Sequence, residues 1–323
     1  MTATPSSQAP TPDPVDLSVV IVSYYCRDQV LACVESVVDS LTTRRTEVIV
    51  VDNGSTDGTV EALQVKAPEV TLVPMGTNTG FARATNVGIG RAHGRHVLVL
   101  NPDTTVERGA FDCLADWLDA HAGAGAVAPR LLNRDGTDQR TARSFPTPSA
   151  AIFGRRSPLT RWFPENRWSR RYLLVQGNAG DRPFRVDWVS GAAMMVPASV
   201  IAEIGSFDES FFLFWEDADW CRRMADVGLE VWCVPQARVF HDEGGTRDHG
   251  WSRRNVTHFH RGAYIYWRKH HAPQPWNPAR WGAAGVLGLR ALMVMAREQL
   301  RAASRYRPTA TAPSLIPVPK SGA

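Results

Sequence analysis

No stretch of this 323-residue chain supplies the roughly 18–20 uninterrupted apolar residues that a membrane-spanning helix needs. The nearest, "WGAAGVLGLRALMVMA" at 281–296, is cut by Arg290 and followed by Arg297, Arg301, Arg305 and Arg307. Such a segment either lies on an anionic membrane surface or packs as a C-terminal helix on its own domain. Residues 1–16 carry Pro5, Pro10, Pro12 and Pro14 but no basic start and no apolar run, so they suit a disordered lead rather than a signal peptide. Cysteine is sparse. Cys26, Cys33, Cys113, Cys221 and Cys233 form no CxxC pair and sit among apolar residues, as buried free thiols of a reducing compartment would. GxxxxGK[ST] is missing, which argues against a P-loop, and the glycine-rich "GTNTGFARATNVGIG" lacks GxGxxG spacing. A net charge of +4 is too small to indicate nucleic acid. The basic residues are local: Arg155, Arg156, Arg161, Arg167, Arg170 and Arg171 crowd one stretch, either a solvated face or a site for an anionic partner.

With 44% hydrophobic and 21% charged residues, the chain can bury a substantial core. Its first half alternates strand and helix patterns. "LSVVIVSYY" (17–25) is a continuous β-branched run, as in a strand covered on both faces. "DQVLACVESVVDSL" (28–41) follows as a helix, with Leu31, Val34, Val38 and Leu41 at helical spacing and Asp28 as its N-cap. "TEVIVVDN" and "HVLVLNPD" are further strands, separated by short helices. Strands spaced in this way predict a mainly parallel, right-handed βαβ sheet with helices on both faces.

Ligands of open parallel sheets sit beyond the carboxyl ends of the strands. There the chain offers Ser23-Tyr24, then "DNGSTDGT" (52–59), then "NPDTT" (101–105). Without a P-loop lysine, a diphosphate at this rim would need a divalent cation, held by one or two carboxylates. Asp103 suits the metal and Asn101 a neighbouring hydrogen bond.

"SVVIVSYY", "VVDNGSTDGT", "NTGFARATNVGI", "LVLNPDTT", "WVSGAAMMV", "FDESFFLFWEDADWCRRM" and "VFHDEGGT" together resemble the family 2 glycosyltransferases, most of all their bacterial rhamnosyltransferase-like branch. The likeness spans roughly 17–250. It implies a GT-A type, Rossmann-like fold, a nucleotide-sugar donor, a divalent metal (Mg²⁺ or Mn²⁺) and an inverting transfer. Asp52, Asn78 and Asn86 then match nucleotide-sugar-binding positions, and Asn101 and Asp103 the diphosphate and metal motif; Ser23 and Tyr24, by their place at the strand rim, and Gly191, as a point of close backbone approach, are expected to bind the nucleotide-sugar too. Asp217 matches the catalytic base, and His241 a histidine that in related galactofuranosyltransferases is a further metal ligand. Tyr25 departs from the common asparagine, which leaves the base preference open.

Residues 216–227 predict a helix with Asp217 on the face of Trp220, Cys221 and Met224. Glu216, Asp219 and Arg223 would share the wet side. Trp188 and Trp215 are either sugar-stacking platforms or packed aromatics. The expected organisation is a disordered lead (1–16), a glycosyltransferase domain (17–250, nucleotide-sugar part to about 125 and acceptor part from about 126), a basic helical extension (251–307) and a disordered tail (308–323). The expected activity moves L-rhamnose from dTDP-rhamnose to a cell-wall or surface polysaccharide acceptor. That acceptor would be polyprenyl-diphosphate-linked, its diphosphate meeting the arginines of 155–171. The enzyme would work in the cytoplasm, peripheral at the inner face of the plasma membrane. Alternatives are another hexosyl or galactofuranosyl transferase using a UDP-sugar, a sugar nucleotidyltransferase, or a non-catalytic nucleotide-sugar or carbohydrate-binding module.

Overall fold

The computed structural model describes residues 14–40, 43–147, 180–242 and 252–305. Most of the proline-rich lead, the arginine-crowded stretch 155–171 and the proposed disordered tail lie outside the described residues.

Strand β1 (Leu17–Ser23) is buried along its whole length. Successive side chains of a strand point to opposite faces. Leu17, Val19 and Ile21 therefore enter one core while Val20 and Val22 enter another. The first core is roofed by α1 (Arg27–Ser40), α2 (Thr59–Lys66) and α4 (Ala110–Ala120), the second by α3 (Phe81–Ile89). Strands β2 (Thr46–Asp52), β3 (Thr71–Pro74) and β4 (His96–Leu100) complete a parallel β3-β2-β1-β4 half-sheet. Helix α3 lies unusually close to it. A methyl group at Gly88 would stand 2.4 Å from Val20 Cγ1, so only glycine fits there.

Beyond β4 the topology changes. β5 (Thr104–Val106), β6 (Ala124–Leu132), β7 (Phe184–Val186), β8 (Ala193–Pro197) and β9 (Glu230–His241) extend the same sheet, in the order β3-β2-β1-β4-β8-β6-β9-β5 with β7 also on β9. β8 lies antiparallel between β4 and β6, and β5 and β7 run against β9, while β6 and β9 keep the direction of the first half. The sheet is mostly parallel, as the sequence predicts. Its register breaks where β6 passes from Pro129 to Arg130 and β9 carries Pro235, since proline has no N–H for the ladder.

Four further helices cover this half: α5 (Ala198–Ile204), α6 (Glu216–Asp226), α7 (Arg253–His270) and α8 (Ala279–Arg305). Helix α6 buries Trp220, Cys221 and Met224, and α7 adds Ile265 and Tyr266 to the same core. The Trp220 indole is fully buried and its N–H donates to the Gly205 carbonyl at 2.9 Å, so the one polar atom of a large apolar group is satisfied. Helix α8 packs on α7 as a hairpin and leaves Trp281, Val286, Leu289, Leu292, Met293 and Leu300 exposed.

Helix α1 departs from expectation. It starts at Arg27, so Asp28 lies inside it rather than at its cap, and the buried face is Val30, Cys33, Val34 and Val37. Val38 is 43% exposed. The sequence holds two overlapping apolar stripes about 100° apart, and the one packed into the core is Val30, Cys33, Val34 and Val37. All five cysteines are free; Cys33, Cys221 and Cys233 are buried as expected, whereas Cys26 and Cys113 are only half-buried.

Candidate active site at the strand rim

Strand ends β1 and β2 meet as Ser23 and Asp52, paired across the parallel ladder. The Ser23 hydroxyl donates to Asp52 Oδ1 at 3.1 Å, and Gly54 N–H and Ser55 N–H donate to Oδ2 at 3.2 and 2.9 Å. Asp52 is 1% exposed. Its carboxylate thus shapes the 53–58 loop from inside. Tyr24 and Tyr25 stand outside that loop, packed edge to face with centroids 4.7 Å apart. Tyr25 has φ 51°, and its hydroxyl bonds Thr56 at 2.9 Å.

Two expected pocket asparagines are occupied elsewhere. Asn86 donates to the Phe207 carbonyl at 2.9 Å and to Glu209 at 3.2 Å, and accepts from Phe207 N–H at 3.0 Å. Its amide ties α3 to the loop before α6 instead of lining the rim; position in a motif does not reveal which way an amide turns. Asn78 Oδ1 accepts from Gly80 N–H at 3.0 Å and from Asn53 at 3.3 Å, holding the turn that starts α3.

Beyond β4, the Asn101 N–H bonds the Ala192 carbonyl at 2.9 Å and the Asp242 N–H bonds the Asp103 carbonyl at 2.8 Å. Thr104 pairs with His241 across the β5–β9 ladder. Three side chains consequently converge. His241 Nε2 faces Asp103 Oδ1 at 3.3 Å and Asn101 Nδ2 at 3.4 Å. Asp103 Oδ1 is buried without a hydrogen-bond partner among the described residues. A buried carboxylate oxygen left open beside a ring nitrogen fits a divalent cation, for which carboxylate and imidazole are both suitable ligands. No third histidine, cysteine or acid completes the group among the described residues, so the other ligands would come from diphosphate oxygens and water.

The acidic stretch before α6 is held by an unusual backbone. Phe214 and Trp215 have φ 71° and 78°, a left-handed conformation that costs of order 1–3 kcal/mol per non-glycine residue. Helix α7 presses on this turn: a methyl group at Gly262 would stand 2.9 Å from both the Phe214 carbonyl oxygen and the Trp215 ring. Out of the turn comes Asp217, half-buried. Its Oδ2 accepts from Gly191 N–H at 3.0 Å and its Oδ1 from Ala218 N–H at 2.7 Å. Burial pushes its carboxyl above the usual range, and these amides together with the Arg143 charge pull it back. Gly191 does not owe its identity to crowding, because a methyl group there would sit 3.5 Å from Asp217 Cβ in ordinary contact. Its contribution is the N–H.

The expected wet side of α6 is dry. Glu216 is 6% exposed and Asp219 fully buried, because α7 lies over them. Asp219 accepts from His270 at 2.7 Å, Lys269 at 3.0 Å and Arg223 at 3.0 Å; burial raises its carboxyl, but these partners hold it below the usual range. Glu216 has no such partners. Among the described residues its Oε2 is buried and unbonded, and burial, then the neighbouring Asp217 charge, push its carboxyl well above the usual range. Trp188 is 9% exposed, with its N–H on the Ser144 carbonyl at 2.9 Å and the Arg143 guanidinium 5.1 Å over its ring. It is packed, not a free platform. Trp215 stacks obliquely against Phe259 and Tyr266 of α7.

One short chain of contacts joins the two acids. Asp217 is bonded to Gly191; the next residue, Ala192, is bonded to Asn101; and Asn101 and Asp103 both face His241. Since Leu100 pairs with Ala193, all of this lies at one rim, the carboxyl end of β4. The sequence patterns miss the α7 side chains over α6 and Gln139 behind His241, because neither belongs to a local motif.

The family model for "Glycosyl transferase family 2" matches residues 18–192. An N-acetylglucosaminyl-diphospho-decaprenol L-rhamnosyltransferase of Mycobacterium tuberculosis is 32% identical over 280 residues, which cover 82% of this chain and 88% of that protein. The dTDP-rhamnosyl transferase RfbF of Shigella flexneri is 23% identical over 70% of this chain and 68% of its own length. Among solved structures, a mannosyltransferase of Pyrobaculum calidifontis, in complex with GDP-Man and Mn²⁺, superposes with a TM-score of 0.57 at 21% identity, covering 93% of this chain and 79% of that one.

Proposed function

The chain belongs to glycosyl transferase family 2, with a rhamnosyltransferase-like sequence and a GT-A fold, and from that premise we propose an inverting, metal-assisted transfer of L-rhamnose from dTDP-rhamnose to a polyprenyl-diphosphate-linked acceptor. The observation that carries this reading is the pairing of Asp217, fixed by two backbone amides, with the Asn101–Asp103–His241 cluster at the same rim. The two relatives cited are named as rhamnosyltransferases, one of them for a decaprenyl-diphosphate acceptor.

In this mechanism Asp217 takes the proton of an acceptor hydroxyl as that oxygen bonds to the anomeric carbon, while the bond from that carbon to the nucleoside diphosphate breaks with its electron pair on the departing phosphate. The Gly191 and Ala218 amides aim the carboxylate, and they and Arg143 favour its ionised form. Asp103 and His241 would hold the cation, which when bound would supply Lewis-acid stabilisation of the leaving diphosphate. Tyr24, exposed at the β1 end, offers a face to the nucleoside, and Asp52 holds the loop beside it through Ser23.

No helix among the described residues is long and apolar enough to cross a membrane. The exposed apolar face of α8, flanked by Arg297 and Arg301, suits a helix seated in an anionic lipid surface, where a lipid-linked acceptor would be met. Purified protein given a panel of nucleotide-sugars and N-acetylglucosaminyl-diphospho-polyprenol should turn over dTDP-rhamnose in a Mn²⁺- or Mg²⁺-dependent way. Turnover of a UDP-sugar instead, or equal rates in chelator, would overturn the donor or the metal assignment respectively. Flotation with anionic vesicles should be lost when residues 279–323 are removed; retention on the vesicles would remove α8 from the account.

A further inference from the structure

Behind His241 lies a run of hydrogen bonds whose direction can be deduced link by link. It starts at Asp135, an exposed acid in the turn after β6 that can only accept. The Thr137 hydroxyl donates to Asp135 at 2.6 Å. With its proton so committed, Thr137 Oγ1 accepts from Asn133 Nδ2 at 2.8 Å. That orients the Asn133 amide, whose Oδ1 accepts from Gln139 Nε2 at 3.0 Å. Gln139 Nε2 also donates to the His241 backbone carbonyl at 2.6 Å, which fixes the glutamine a second time. Its Oε1 is left facing His241 Nδ1 at 2.9 Å.

A glutamine carbonyl oxygen has no proton to give, so His241 Nδ1 must be the donor. In the neutral ring Nε2 is then a bare lone pair. The opposite side of the ring agrees, since Asn101 approaches Nε2 through its amide nitrogen, which can only donate. Asp103 Oδ1, buried and unbonded among the described residues, lies 3.3 Å from Nε2. Two acceptors held 3.3 Å apart in a buried place repel unless a cation lies between them.

We infer that Gln139, anchored by the Asn133–Thr137–Asp135 turn, is a positioning residue that fixes the imidazole of His241 with Nδ1 protonated and Nε2 free to ligate a divalent cation. Gln139 is 3% exposed and reaches His241 across 102 positions of sequence, so no local motif announces it. The inference rests on the reading of Asp103 and His241 as a metal pair, but its first test does not.

That test is the imidazole nitrogen spectrum of metal-free, ¹⁵N-histidine-labelled protein at neutral pH. We expect His241 with a protonated Nδ1 and an unprotonated Nε2; a protonated Nε2 in the wild-type protein overturns the inference whatever any variant does. Gln139→Leu should release the ring, moving the proton to Nε2 and onto Asp103, and weaken Mn²⁺ binding in the presence of dTDP by about 10–100-fold, the usual cost of losing an outer partner of a metal ligand. Gln139→Glu, which keeps an oxygen opposite Nδ1 but turns a second against the Asn133 and His241 carbonyl oxygens, should keep Nδ1 protonated while lowering thermal stability. A Gln139→Leu protein with unchanged tautomer, or with Mn²⁺ affinity within twofold of wild type, would contradict the inference. Should wild-type protein bind no Mn²⁺ at all, the metal reading falls, while the tautomer spectrum still decides whether Gln139 sets the ring.

Discussion

The two halves of the rim are built by different means. On the β1–β2 side the working groups are held by neighbours close in sequence and register: Ser23 sits opposite Asp52 because their strands pair, and Asp52 caps its own loop. On the β4–β9 side they are held across long separations. Asp219 is neutralised from α7 by Lys269 and His270, 50 and 51 positions on, and His241 is oriented by Gln139 across 102 positions, although Asp217 is aimed by Gly191 only 26 positions back. The difference teaches that the β1–β2 side rests on strand pairing and its own loop, whereas the charge and hydrogen-bond networks of the β4–β9 side exist only once α7 and β9 have docked.

The sharpest way to test this contrast is at Asp217. Asp217→Asn should cut turnover by roughly 10²–10⁴-fold, the span of general-base catalysis, with dTDP-rhamnose affinity within a few-fold of wild type by calorimetry. Turnover surviving within a few-fold would remove Asp217 as the base and leave the two halves functionally alike.

Next comes the charge knot beneath it. Asp219→Ala strands Lys269, His270 and Arg223 around a buried position and should cost about 3–5 kcal/mol in denaturant unfolding. On the donor side Ser23→Ala leaves only one buried acceptor short of a donor and should cost about 1–3 kcal/mol. Equal costs would erase the contrast between a docked and a locally built side.

The smallest effect is one of pH. Against the upward push of burial, Lys269 and the Ser210 N–H hold the Asp208 carboxyl down at about 2. A depressed carboxylate contributes stability that is complete above its unfolded value near 4 and fades as the pH falls from there towards 2. Asp208→Asn should lower stability slightly at pH 7 and flatten that acid loss; an unchanged acid slope would show that the α7 end contributes no linkage.

This same contrast marks how far the sequence could be read. The buried strand from Leu17 and the helix from Glu216 are local patterns and start where periodicity predicts them, although the first strand ends at Ser23 rather than Tyr25 and the fourth at Leu100, leaving Asp103 in the turn beyond it. Even α1 was legible as a helix, though its two competing apolar stripes hid which face goes inward. Glu216 and Asp219 defeated the pattern, since helical spacing places them on a polar face and only the arrival of α7 makes that face an interior. Asn86 shows a related ambiguity: an amide in a glycine-rich motif can serve a ligand or a loop, and here it bonds the Phe207 backbone. Gln139 carried no signal, because its partner lies on a strand more than a hundred residues away.

The central claim is that a cation-gripping acid and a proton-accepting acid face one another across the end of β4. A crystal structure with Mn²⁺ and dTDP-rhamnose tests it most directly. The account predicts the ion bonded to Asp103 and His241, the diphosphate on that ion, and the Asp217 carboxylate on the far side of the anomeric carbon. A sugar bound away from Asp217, or an ion held without Asp103, would contradict it.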